Sequence, residues 1–424
     1  MDKLVEILNS CDVSDYQIVC DETKSHQCFF IRHQLDQHRI CSVKKIVLTI
    51  YVDNSDKTLR GSAKKEIFPS ETEEEIKADI MDMKENALLA LNSYFPLEGN
   101  VNYYEEKKEF DLLDSLKNVI TAVESIKETD TEKINSYEVF VNEKYRHIVN
   151  SQGVSISFNT SDEMVEIVIN STNGDHEVEV YHMIEAGSDR DSESIKKEIE
   201  AVFKKANDRS KAQPVEKMNN VHLLISGNDL REFFQYFLDK INTSAVYSKM
   251  SQNKVGDVIQ KGENCDKITL KVKANLDYSS RNSLYSTEGV KASDFTVLKD
   301  GEYVNYVGSR QFAHYLGLSD VGFVNNFTVE PGSKTVEEMK QQPYLEIVEF
   351  SSFQVDTITG DFGGEFRLAY YYDGKTVKEV TAGSITSNIT DVLDHIYLSK
   401  QTRQINNCIV PETIELFDIN VAGN

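Results

Sequence analysis

The chain has 424 residues, of which 40% are hydrophobic and 9% aromatic, and it contains no tryptophan. This composition is that of a globular protein, and the length exceeds what one ordinary core accommodates, so two domains are expected. The formal net charge of −24 at pH 7 repels nucleic-acid phosphates, which excludes sequence-independent DNA or RNA binding as an expected function.

The start of the chain and its cysteines bear on location. Residues 1–8 predict a short amphipathic helix, without the basic start or the unbroken apolar stretch of a secretion signal. The longest strand-like apolar segment, residues 46–52, is too short to cross a bilayer as a helix. Six cysteines in a chain of this length do not make a disulfide scaffold. We therefore expect a cytoplasmic protein with no membrane partner.

The first half of the sequence repeats one pattern, a meander of strands followed by a helix. The strand-like runs are residues 15–21, 28–33, 43–52 and 58–66 in the first copy, and 137–142, 154–159, 164–170 and 177–184 in the second. Ser70 and Glu73 have the capping-box spacing and precede an apolar stripe at helical steps. A second such stripe starts at Ile195, and a helix over residues 112–126 joins the copies. The pattern predicts a duplicated α+β N-terminal domain over residues 1–206.

The second half is separated from the first by a polar segment. Residues 207–220 contain Pro214 and are predicted to be a linker. Residues 221–424 then predict a strand-rich C-terminal domain with one internal helix, whose apolar stripe runs from Leu230 to Ile241. Gly374-Lys375-Thr376 resembles the end of a phosphate-binding loop, but it lies between two strand-like runs and predicts a hairpin turn.

Two groups of histidines are candidate metal ligands. The denser group consists of Cys20, His26, Cys28, His33, His38 and Cys41. It contains no Cys-x-x-Cys and matches no structural zinc spacing, so ordinary strand residues are the preferred interpretation. His176-Glu177 and His182 alternate like a strand, in which six residues span about 20 Å, so the two histidines cannot share one ion. The residues alone therefore predict an acidic two-domain α+β protein with no assembled catalytic set and no metal site.

Six short motifs of the second half, taken in order, carry a resemblance. They are residues 245–249, 288–290, 309–318, 326–332 (Asn-Phe-Thr-Val-Glu-Pro-Gly), 359–362 (Thr-Gly-Asp-Phe) and 385–391. In this order they resemble the TldD/PmbA family, also called modulators of DNA gyrase, and more closely its PmbA (TldE) branch. The similarity covers most of residues 221–424 and is weaker in the first half, where it is visible at Gly61-Ser62-Ala63.

The resemblance implies a degenerate zinc site. The TldD branch of the family is understood as a zinc peptidase, with His-Glu-x-x-x-His on the internal helix and a cysteine near the C-terminus. At the matching positions this chain has Gln235, Tyr236 and Lys240, and Cys408 falls near the position of the cysteine. An amide is a poor zinc ligand and a protonated amine has no lone pair to donate. We therefore expect no catalytic residue and no metal in this chain, with zinc only in a TldD-like partner.

The resemblance also implies a peptide groove at Thr359, Gly360, Asp361, Thr386 and Asn388, where an unfolded peptide would be held by addition to a sheet edge. The leading hypothesis is a PmbA/TldE-like subunit of a cytoplasmic TldD/TldE-type metalloprotease, itself without the zinc motif. Its partners would be a TldD-like subunit, in a homo- or hetero-oligomer, and an unfolded peptide substrate. The alternatives are a stand-alone homo-oligomeric peptide-binding or regulatory protein, and an enzyme that uses Cys408, for which the sequence offers no histidine partner.

Overall fold

The computed structural model describes residues 1–99, 103–319 and 321–423, and it has a mixed α+β fold rich in strands. The elements of the first half are α1 (Asp2–Ser10), β1 (Asp15–Ile31), β2 (Gln34–Asp53), β3 (Leu59–Ile67), α2 (Glu73–Leu88), β4 (Leu91–Ser93), β5 (Tyr103–Glu106), α3 (Leu112–Glu124), β6 (Glu132–Asn150), β7 (Ser155–Asn173), β8 (His176–Gly187) and α4 (Ser192–Lys211).

The elements of the second half are β9 (Gln213–Pro214), β10 (Met218–Ser226), α5 (Leu230–Lys240), α6 (Thr243–Tyr247), β11 (Leu270–Lys273), β12 (Phe295–Lys299), β13 (Glu302–Tyr303), α7 (Arg310–Tyr315), β14 (Asn326–Val329), α8 (Val336–Met339), β15 (Tyr344–Val355), β16 (Asp361–Tyr372), β17 (Val377–Thr381), β18 (Gly383–Asn388), α9 (Ile389–Val392), a short 3₁₀ helix (Leu393–His395), β19 (Tyr397–Leu398), β20 (Thr402–Ile405), β21 (Cys408–Pro411) and β22 (Thr413–Ala422).

The first half forms one sheet from two copies of the same topology. Each copy is a helix, a meander of three long strands and a second helix: α1 to α2 in the first copy and α3 to α4 in the second. The copies join where β1 pairs antiparallel with β6, from Gln17 opposite Asn150 to Ile31 opposite Ser136. The strand order in the sheet is β4-β3-β2-β1-β6-β7-β5, with β8 paired to β7. The repeated meander-plus-helix architecture predicted from the sequence is therefore confirmed.

The number of strands in each copy was predicted wrongly. Runs 15–21 and 28–33 are one strand, β1, and runs 154–159 and 164–170 are one strand, β7. The reason is that β1 serves two cores: Ile18 packs with α1 and α2, whereas Phe30 packs with α3. The polar residues between these two contacts interrupt the apolar pattern without interrupting the strand.

The buried Arg60 fixes the outer part of the first copy. Its guanidinium donates to Asp53 at 2.6 Å, to Asp15 at 2.9 Å and to the carbonyl oxygen of Phe95 at 3.0 Å. The residue is only 3% exposed, so each of these partners compensates for removing the cation from water. Arg60 thereby connects β3 with the start of β1 and with the segment that follows β4.

The start of α2 differs from its predicted capping box. The helix is capped by Thr72, whose hydroxyl accepts from the Glu75 N–H while the Glu75 carboxylate accepts from the Thr72 N–H. Ser70 and Glu73 have the same spacing, but Ser70 lies in a turn in which the Glu71 N–H donates to the carbonyl oxygen of Phe68. The sequence thus contains two overlapping matches to the capping-box motif, and the later one, Thr72 with Glu75, forms the box.

The segment predicted to be a linker, residues 207–220, consists largely of regular structure. Helix α4 continues through Lys211, β9 pairs in parallel with β17, and β10 begins at Met218. The polar residues that suggested a linker belong to the last turn of α4, and Pro214 lies in a two-residue strand, β9, at the end of the sheet order, where a missing N–H is tolerated. The limits of the two domains, 1–206 and 221–424, stay a prediction.

The second half contains two sheets with α5 between them. Five strands, β15-β10-β22-β18-β16, are paired in that order, and an additional pairing of β15 with β16 closes them into a ring. The second sheet has the order β13-β12-β11-β14-β21-β20. Helix α5 contacts β15 of the ring and β21 of the second sheet. The internal helix of the predicted C-terminal domain is thus a core element of this half.

Hydrogen bonds and ion pairs join the two halves. The Tyr370 hydroxyl donates to Asp208 at 2.6 Å, and Arg209 lies 3.1 Å from Glu349. These contacts connect α4 with strands β15 and β16. Within the described ranges, no helix has the length and apolar character that crossing a membrane requires.

Candidate functional site

Helix α5 is buried on most of its circumference. Leu230, Phe233, Phe234 and Phe237 have no exposed surface, and Tyr236 is 6% exposed. An α-helix that is apolar on nearly all sides belongs in a core. Whether the helix can bind a metal ion or a ligand therefore depends on the contacts of its few polar side chains.

Two of the positions where the family resemblance expects histidine carry side chains that already have partners. The Gln235 amide donates to the Asp239 carboxylate at 3.0 Å, and Lys240 Nζ donates to the carbonyl oxygen of Ile358 at 3.1 Å. Burial lowers the pKa of Lys240, while the charge of Asp356 opposes this effect. Because both polar groups are engaged in these contacts, neither Gln235 nor Lys240 supplies a free donor for a metal ion.

Tyr236, where the resemblance expects glutamate, faces the Thr-Gly-Asp motif. Lys240 Nζ lies 5.6 Å from the centre of the Tyr236 ring, one helical turn along. A side-chain carbon placed on Gly360 would lie 3.1 Å from the Tyr236 hydroxyl oxygen, and Gly360 has a φ of +82°. Burial raises the pKa of the Tyr236 phenol, and the charge of Asp356 raises it further. The phenol therefore stays protonated at neutral pH. It packs against Gly360, where both the limited space and the positive φ favour glycine over any other residue.

Cys408 is placed toward the opposite end of α5. It lies on β21 opposite Phe327, is fully buried, and its thiol donates to the carbonyl oxygen of Ile405 at 3.4 Å. Burial raises its pKa to about 12, although the nearby charges of Arg231 and Arg403 act in the other direction. A thiol with this pKa is protonated at neutral pH, so it is not an activated nucleophile.

The donor set around α5 does not fit a catalytic zinc ion. An engaged amide, a hydrogen-bonded ammonium group and a buried protonated thiol replace the imidazoles and thiolate that such a site uses. In residues 1–99, 103–319 and 321–423, no three His, Cys, Asp or Glu side chains are grouped so as to hold a metal ion. The absence of a metal in this chain stays a prediction.

Only part of the dense Cys/His group converges. His26 Nδ1 and His38 Nε2 lie 3.1 Å apart across β1 and β2. His33 instead bonds Glu124 at 2.9 Å and Glu128 at 3.0 Å. His26 and His38 are thus strand side chains that contact each other, whereas His33 lies in the turn between β1 and β2 and bonds carboxylates at the end of α3 and just after it.

Three of the five predicted groove residues form one hydrogen-bond network, with Gly360 in the chain between two of them. The Asn388 amide donates to the carbonyl oxygen of Thr359 at 2.9 Å and to Asp361 at 2.8 Å, and the Thr359 hydroxyl donates to Asp361 at 2.8 Å. Hydrogen bonds from Asn388 and Thr359 hold the pKa of Asp361 below its usual value. Thr386 lies on β18, exposed and apart from this network. The network fastens β16 to β18, and a role of these residues in binding peptide stays a prediction.

A cavity of about 620 Å³ lies beside this network and is lined by Tyr236, Lys240 and Thr359, among others. Two of the positions that correspond to the zinc motif, Tyr236 and Lys240, thus line the same cavity as the predicted groove residue Thr359. Cys408 does not line this cavity, because its sulfur faces Ile405 and the first turn of α5.

A second cavity, which we call the β8–β20 cleft, lies between the two halves and has a volume of about 390 Å³. Its lining consists of Met183, Ile184 and Glu185 from β8, Arg190, Ser194 and Glu198 beside them, Asn228 and Arg231 at the start of α5, Tyr278, and Gln404, Ile405 and Asn406 from β20 and its turn. Side chains alternate between the two faces of a strand. Three consecutive residues of β8 line the cavity, as do the last two residues of β20 and the turn residue Asn406, which indicates that the cleft runs along strand edges.

Both strands have an unpaired edge. Within the described parts of the chain, β8 pairs only with β7, and β20 pairs only with β21. Each therefore keeps a row of backbone N–H and C=O groups without strand partners, the feature to which an additional strand binds. One contact holds the edges near each other: Asn406, directly after β20, donates to Glu185 of β8 at 3.1 Å. The Gly187 N–H at the end of β8 donates to the carbonyl oxygen of Tyr278, which also lines the cleft, at 2.8 Å.

Some charged side chains in the cleft have ion-pair partners, and one does not. Glu198 bonds Arg190 at 2.7 Å and His182 at 3.0 Å. Burial acts to raise the pKa of Glu198, but these two partners outweigh it and lower the pKa to about 2. The Arg231 guanidinium, by contrast, has no hydrogen bond or ion pair with any residue that the structure describes. The cleft thus offers one uncommitted cation between two open strand edges.

Comparison with known proteins identifies the second half. Residues 219–423 match the family model described as the PmbA/TldA metallopeptidase C-terminal domain. This match assigns the second half of the chain to the PmbA/TldD family. Its fold is similar over the whole chain to the crystal structure of TldE from Thermococcus kodakarensis, with a TM-score of 0.76, 18% identity and 100% of each chain covered.

Two further solved structures share the fold. One is a candidate modulator of DNA gyrase from Bacteroides thetaiotaomicron, with a TM-score of 0.79, 14% identity, and coverage of 100% of this chain and 98% of that one. The other is a candidate modulator of DNA gyrase from Thermotoga maritima, with a TM-score of 0.73, 17% identity and 99% coverage of each chain. A protein of Methanocaldococcus jannaschii, itself uncharacterized, is 23% identical over 175 residues, which are 38% of this chain and 41% of that relative.

The family resemblance located α5 and the Thr-Gly-Asp network but did not point to the β8–β20 cleft. Arg231, Glu198 and Asn406 were not predicted as site residues. The one signal for Arg231 was its place as a cation beside the apolar stripe of a buried helix. Asn406 lies in the tight turn between β20 and β21 with a φ of +46°, which its asparagine side chain tolerates.

Proposed function

We propose that this chain is a TldE-like subunit that binds an extended peptide and leaves the hydrolysis to a zinc-bearing TldD-like partner. One observation carries the proposal: α5 keeps its buried framework while Gln235 and Lys240 occupy the expected histidine positions with their polar atoms already engaged. A zinc ion in the partner would polarise the peptide carbonyl and activate water. This chain supplies binding and enclosure of the peptide.

The β8–β20 cleft is the place that the geometry favours for the peptide. A strand entering between the two open edges forms backbone hydrogen bonds on both sides, which recognise an extended chain with little regard to its side chains. The cleft also adjoins the first turn of α5, next to Cys408. A peptide held there lies along the helix that carries the family's zinc motif in the TldD branch.

Arg231 gives the cleft a preference for a carboxylate. Its guanidinium lines the cleft without an acidic partner among the described residues, whereas Arg190 is neutralised by Glu198. A charge-assisted hydrogen bond between a guanidinium and a carboxylate is stronger than a neutral one. We expect the cleft to favour peptides that place an acidic side chain or a terminal carboxylate at Arg231.

The first experiment tests the partnership. The chain is co-expressed with a TldD-like protein that contains His-Glu-x-x-x-His, and the complex is isolated through a tag on one chain only. The expected result is a stable complex that hydrolyses an unfolded peptide, while this chain alone hydrolyses none and contains no stoichiometric zinc. Zinc bound by the isolated chain, or the absence of any complex, refutes the proposed division of labour.

The second experiment tests the cleft. A fluorescent peptide with a free terminal carboxylate is titrated with the chain by anisotropy, and Arg231→Gln is expected to weaken binding on the order of tenfold. Arg367→Gln is the matched control, since Arg367 lies exposed on β16, away from the cleft. Equal affinities of wild type and Arg231→Gln for this peptide and for its amidated form refute the carboxylate preference.

A stand-alone homo-oligomeric peptide-binding protein is the second candidate. Strand β3 pairs with β2 only from Ile46 to Asp53, and the edge that it leaves uncovered favours contact between copies of the chain. Peptide binding at the cleft without any complex with a TldD-like chain would favour this candidate over the first.

A further inference from the structure

The cavity beside the Thr-Gly-Asp network, which we call the α5–α6 cavity, contains two lysines. Its volume of about 620 Å³ is in the range of small-molecule sites. Lys240 at the end of α5 and Lys249 two residues after α6 line it. Among the described residues of the lining, Asp257 alone is acidic. Two ammonium groups and one carboxylate thus give the lining a net positive charge.

The Tyr236 hydroxyl faces the α5–α6 cavity without a partner. Tyr236 is 6% exposed, and its hydroxyl has no hydrogen bond with any residue that the structure describes. The oxygen is not among the polar atoms that are both unpartnered and closed off from solvent, so it reaches the cavity that its ring lines. A buried tyrosine hydroxyl usually has a hydrogen-bond partner. Here that partner has to come from a molecule in the cavity.

Both ammonium groups keep donors for such a molecule. An ammonium group has three N–H donors. Lys240 Nζ uses one of them on the carbonyl oxygen of Ile358, and within the described ranges the Lys249 side chain has no hydrogen bond or ion pair. Burial lowers the pKa of Lys240, and the charge of Asp356 opposes this effect without cancelling it. An anion in the cavity would offset the lost hydration of Lys240.

The backbone of Lys249 is in an unfavourable conformation. Its φ is +62°, a left-handed conformation just after the end of a helix, where glycine is the usual residue. The Lys249 N–H donates to the carbonyl oxygen of Val246 at 3.2 Å, which fixes this turn. Glycine would adopt the same turn without strain. The presence of lysine therefore indicates that its side chain has a use at this position.

The rest of the lining indicates the class of ligand. The net charge of the lining, two lysines against Asp257, is balanced by a monoanion. Ile358 and Met250, at the surface of the cavity, are 55% and 53% exposed, and Leu393 adds further apolar lining. Sites with apolar walls and a few convergent polar groups bind organic molecules. An organic monocarboxylate fits this lining better than an inorganic anion does.

We propose that the α5–α6 cavity binds a small organic monocarboxylate. The carboxylate accepts hydrogen bonds from Lys240, Lys249 and the Tyr236 hydroxyl, and the apolar part of the ligand covers Ile358. The site is separate from the β8–β20 cleft, since no residue lines both cavities. Arg231 of the cleft and Lys240 lie about 13 Å apart along α5. The proposal thus goes beyond the peptide-binding role and is tested on the chain purified alone.

A pair of probes tests the recognition of the carboxylate. N-acetyl-leucine and N-acetyl-leucine amide have the same apolar part and differ in charge. Saturation-transfer difference NMR is expected to show binding of N-acetyl-leucine and binding of the amide weaker on the order of tenfold. An acetylated tetrapeptide that ends in leucine is then added as a competitor. Its two outcomes both support the site: displacement of the probe indicates that chain ends are accepted, and no displacement indicates a free small carboxylate.

Variants of the lining test the assigned donors. Lys249→Gln removes the cation and keeps an L-residue at the strained position, and it is expected to weaken binding of N-acetyl-leucine on the order of tenfold. Tyr236→Phe is expected to weaken it about threefold to tenfold. Lys254→Gln is the matched control, because Lys254 is an exposed lysine of the same loop outside the lining, and it should bind as the wild type does. Circular dichroism checks that each variant is folded.

Four results overturn the proposal. The first is equal binding, or no binding, of N-acetyl-leucine and its amide. The second is equal affinity of Lys249→Gln and Lys254→Gln for N-acetyl-leucine. The third is displacement of the probe by inorganic phosphate at constant ionic strength, which indicates a general anion site.

The fourth result is loss of probe binding in Arg231→Gln, which would locate the probe in the β8–β20 cleft instead. Peptide binding at the cleft and complex formation with a TldD-like chain are measured separately. A failure of the α5–α6 cavity to bind the probe therefore leaves the proposed function standing.

Discussion

Replacing Gly360 with alanine tests the contact between α5 and the Thr-Gly-Asp motif. Gly360 has a φ of +82°, a conformation that costs an L-residue roughly 1–2 kcal/mol, of which about 0.4–1 kcal/mol is offset by the stiffer unfolded chain. The new carbon would also lie 3.1 Å from the Tyr236 hydroxyl oxygen and 3.3 Å from the Asn388 amide oxygen. Such crowding costs about 1–3 kcal/mol more. We expect Gly360→Ala to lower the free energy of unfolding by about 2–3 kcal/mol.

A matched glycine separates backbone strain from crowding. Gly256 has a φ of +94°, but a side-chain carbon there would meet no atom within 4 Å, so Gly256→Ala is expected to cost only about 1 kcal/mol. Tyr236→Phe removes the nearer crowding atom and should recover part of the loss in the Gly360→Ala/Tyr236→Phe variant. Urea denaturation is followed by far-UV circular dichroism, because the chain has no tryptophan. Equal losses for Gly360→Ala and Gly256→Ala would refute the packing argument.

Three further predictions follow from buried groups. Cys408, with a pKa of about 12, is expected to resist thiol reagents at pH 8 in the folded chain and to react after denaturation, as mass spectrometry would show. Glu198 has a folded pKa of about 2 against 4.5, so its stabilising effect is complete above pH 4.5 and is lost as pH falls toward 2. Glu198→Gln is thus expected to lower the free energy of unfolding at pH 7 by at most about 3 kcal/mol, and its difference from wild type should vanish in acid. Arg60→Met is expected to lower it by about 3 kcal/mol, measured by thermal unfolding against exposed Arg367→Met, because it leaves two largely buried carboxylates, Asp15 and Asp53, without their ion-pair partner. Fast labelling of Cys408 in the folded chain would contradict the first prediction. A stability difference between Glu198→Gln and wild type that does not change with pH would contradict the second. Equal melting temperatures of Arg60→Met and Arg367→Met would contradict the third.

Sequence reasoning succeeded where local pattern and structure coincide. The apolar stripe from Leu230 to Ile241 marked α5, and the two helical stripes of the first half marked α2 and α4. The hairpin turn at Asp373-Gly374 was also confirmed, with Gly374 at a φ of +93° and the Asp373 carboxylate accepting two backbone N–H groups. Each of these features is decided by residues close together in the chain.

Sequence reasoning failed where contacts between residues far apart in the chain determine the structure. The polar middle of β1 was divided into two strands, because its burial depends on the neighbours β2 and β6 rather than on its own pattern. The β8–β20 cleft brings together residues 183–185 and 404–406, and no local signal tells that either strand is an edge. The edge of β2 that β3 leaves uncovered was not predicted for the same reason, since a strand's free side depends on where its neighbour ends.

The ring of five strands in the second half has a consequence for biosynthesis. Strand β10 pairs with β22, which lies far later in the chain, and the ring stays incomplete until β22 is present. At ribosomal rates of about 5–20 residues per second, roughly 10 to 40 seconds separate the emergence of these two strands. During that interval the phenylalanines of α5 lack part of their cover. The nascent second half is therefore a substrate for chaperones that recognise exposed aromatic segments, while the sheet of the first half can form as soon as α4 has left the exit tunnel.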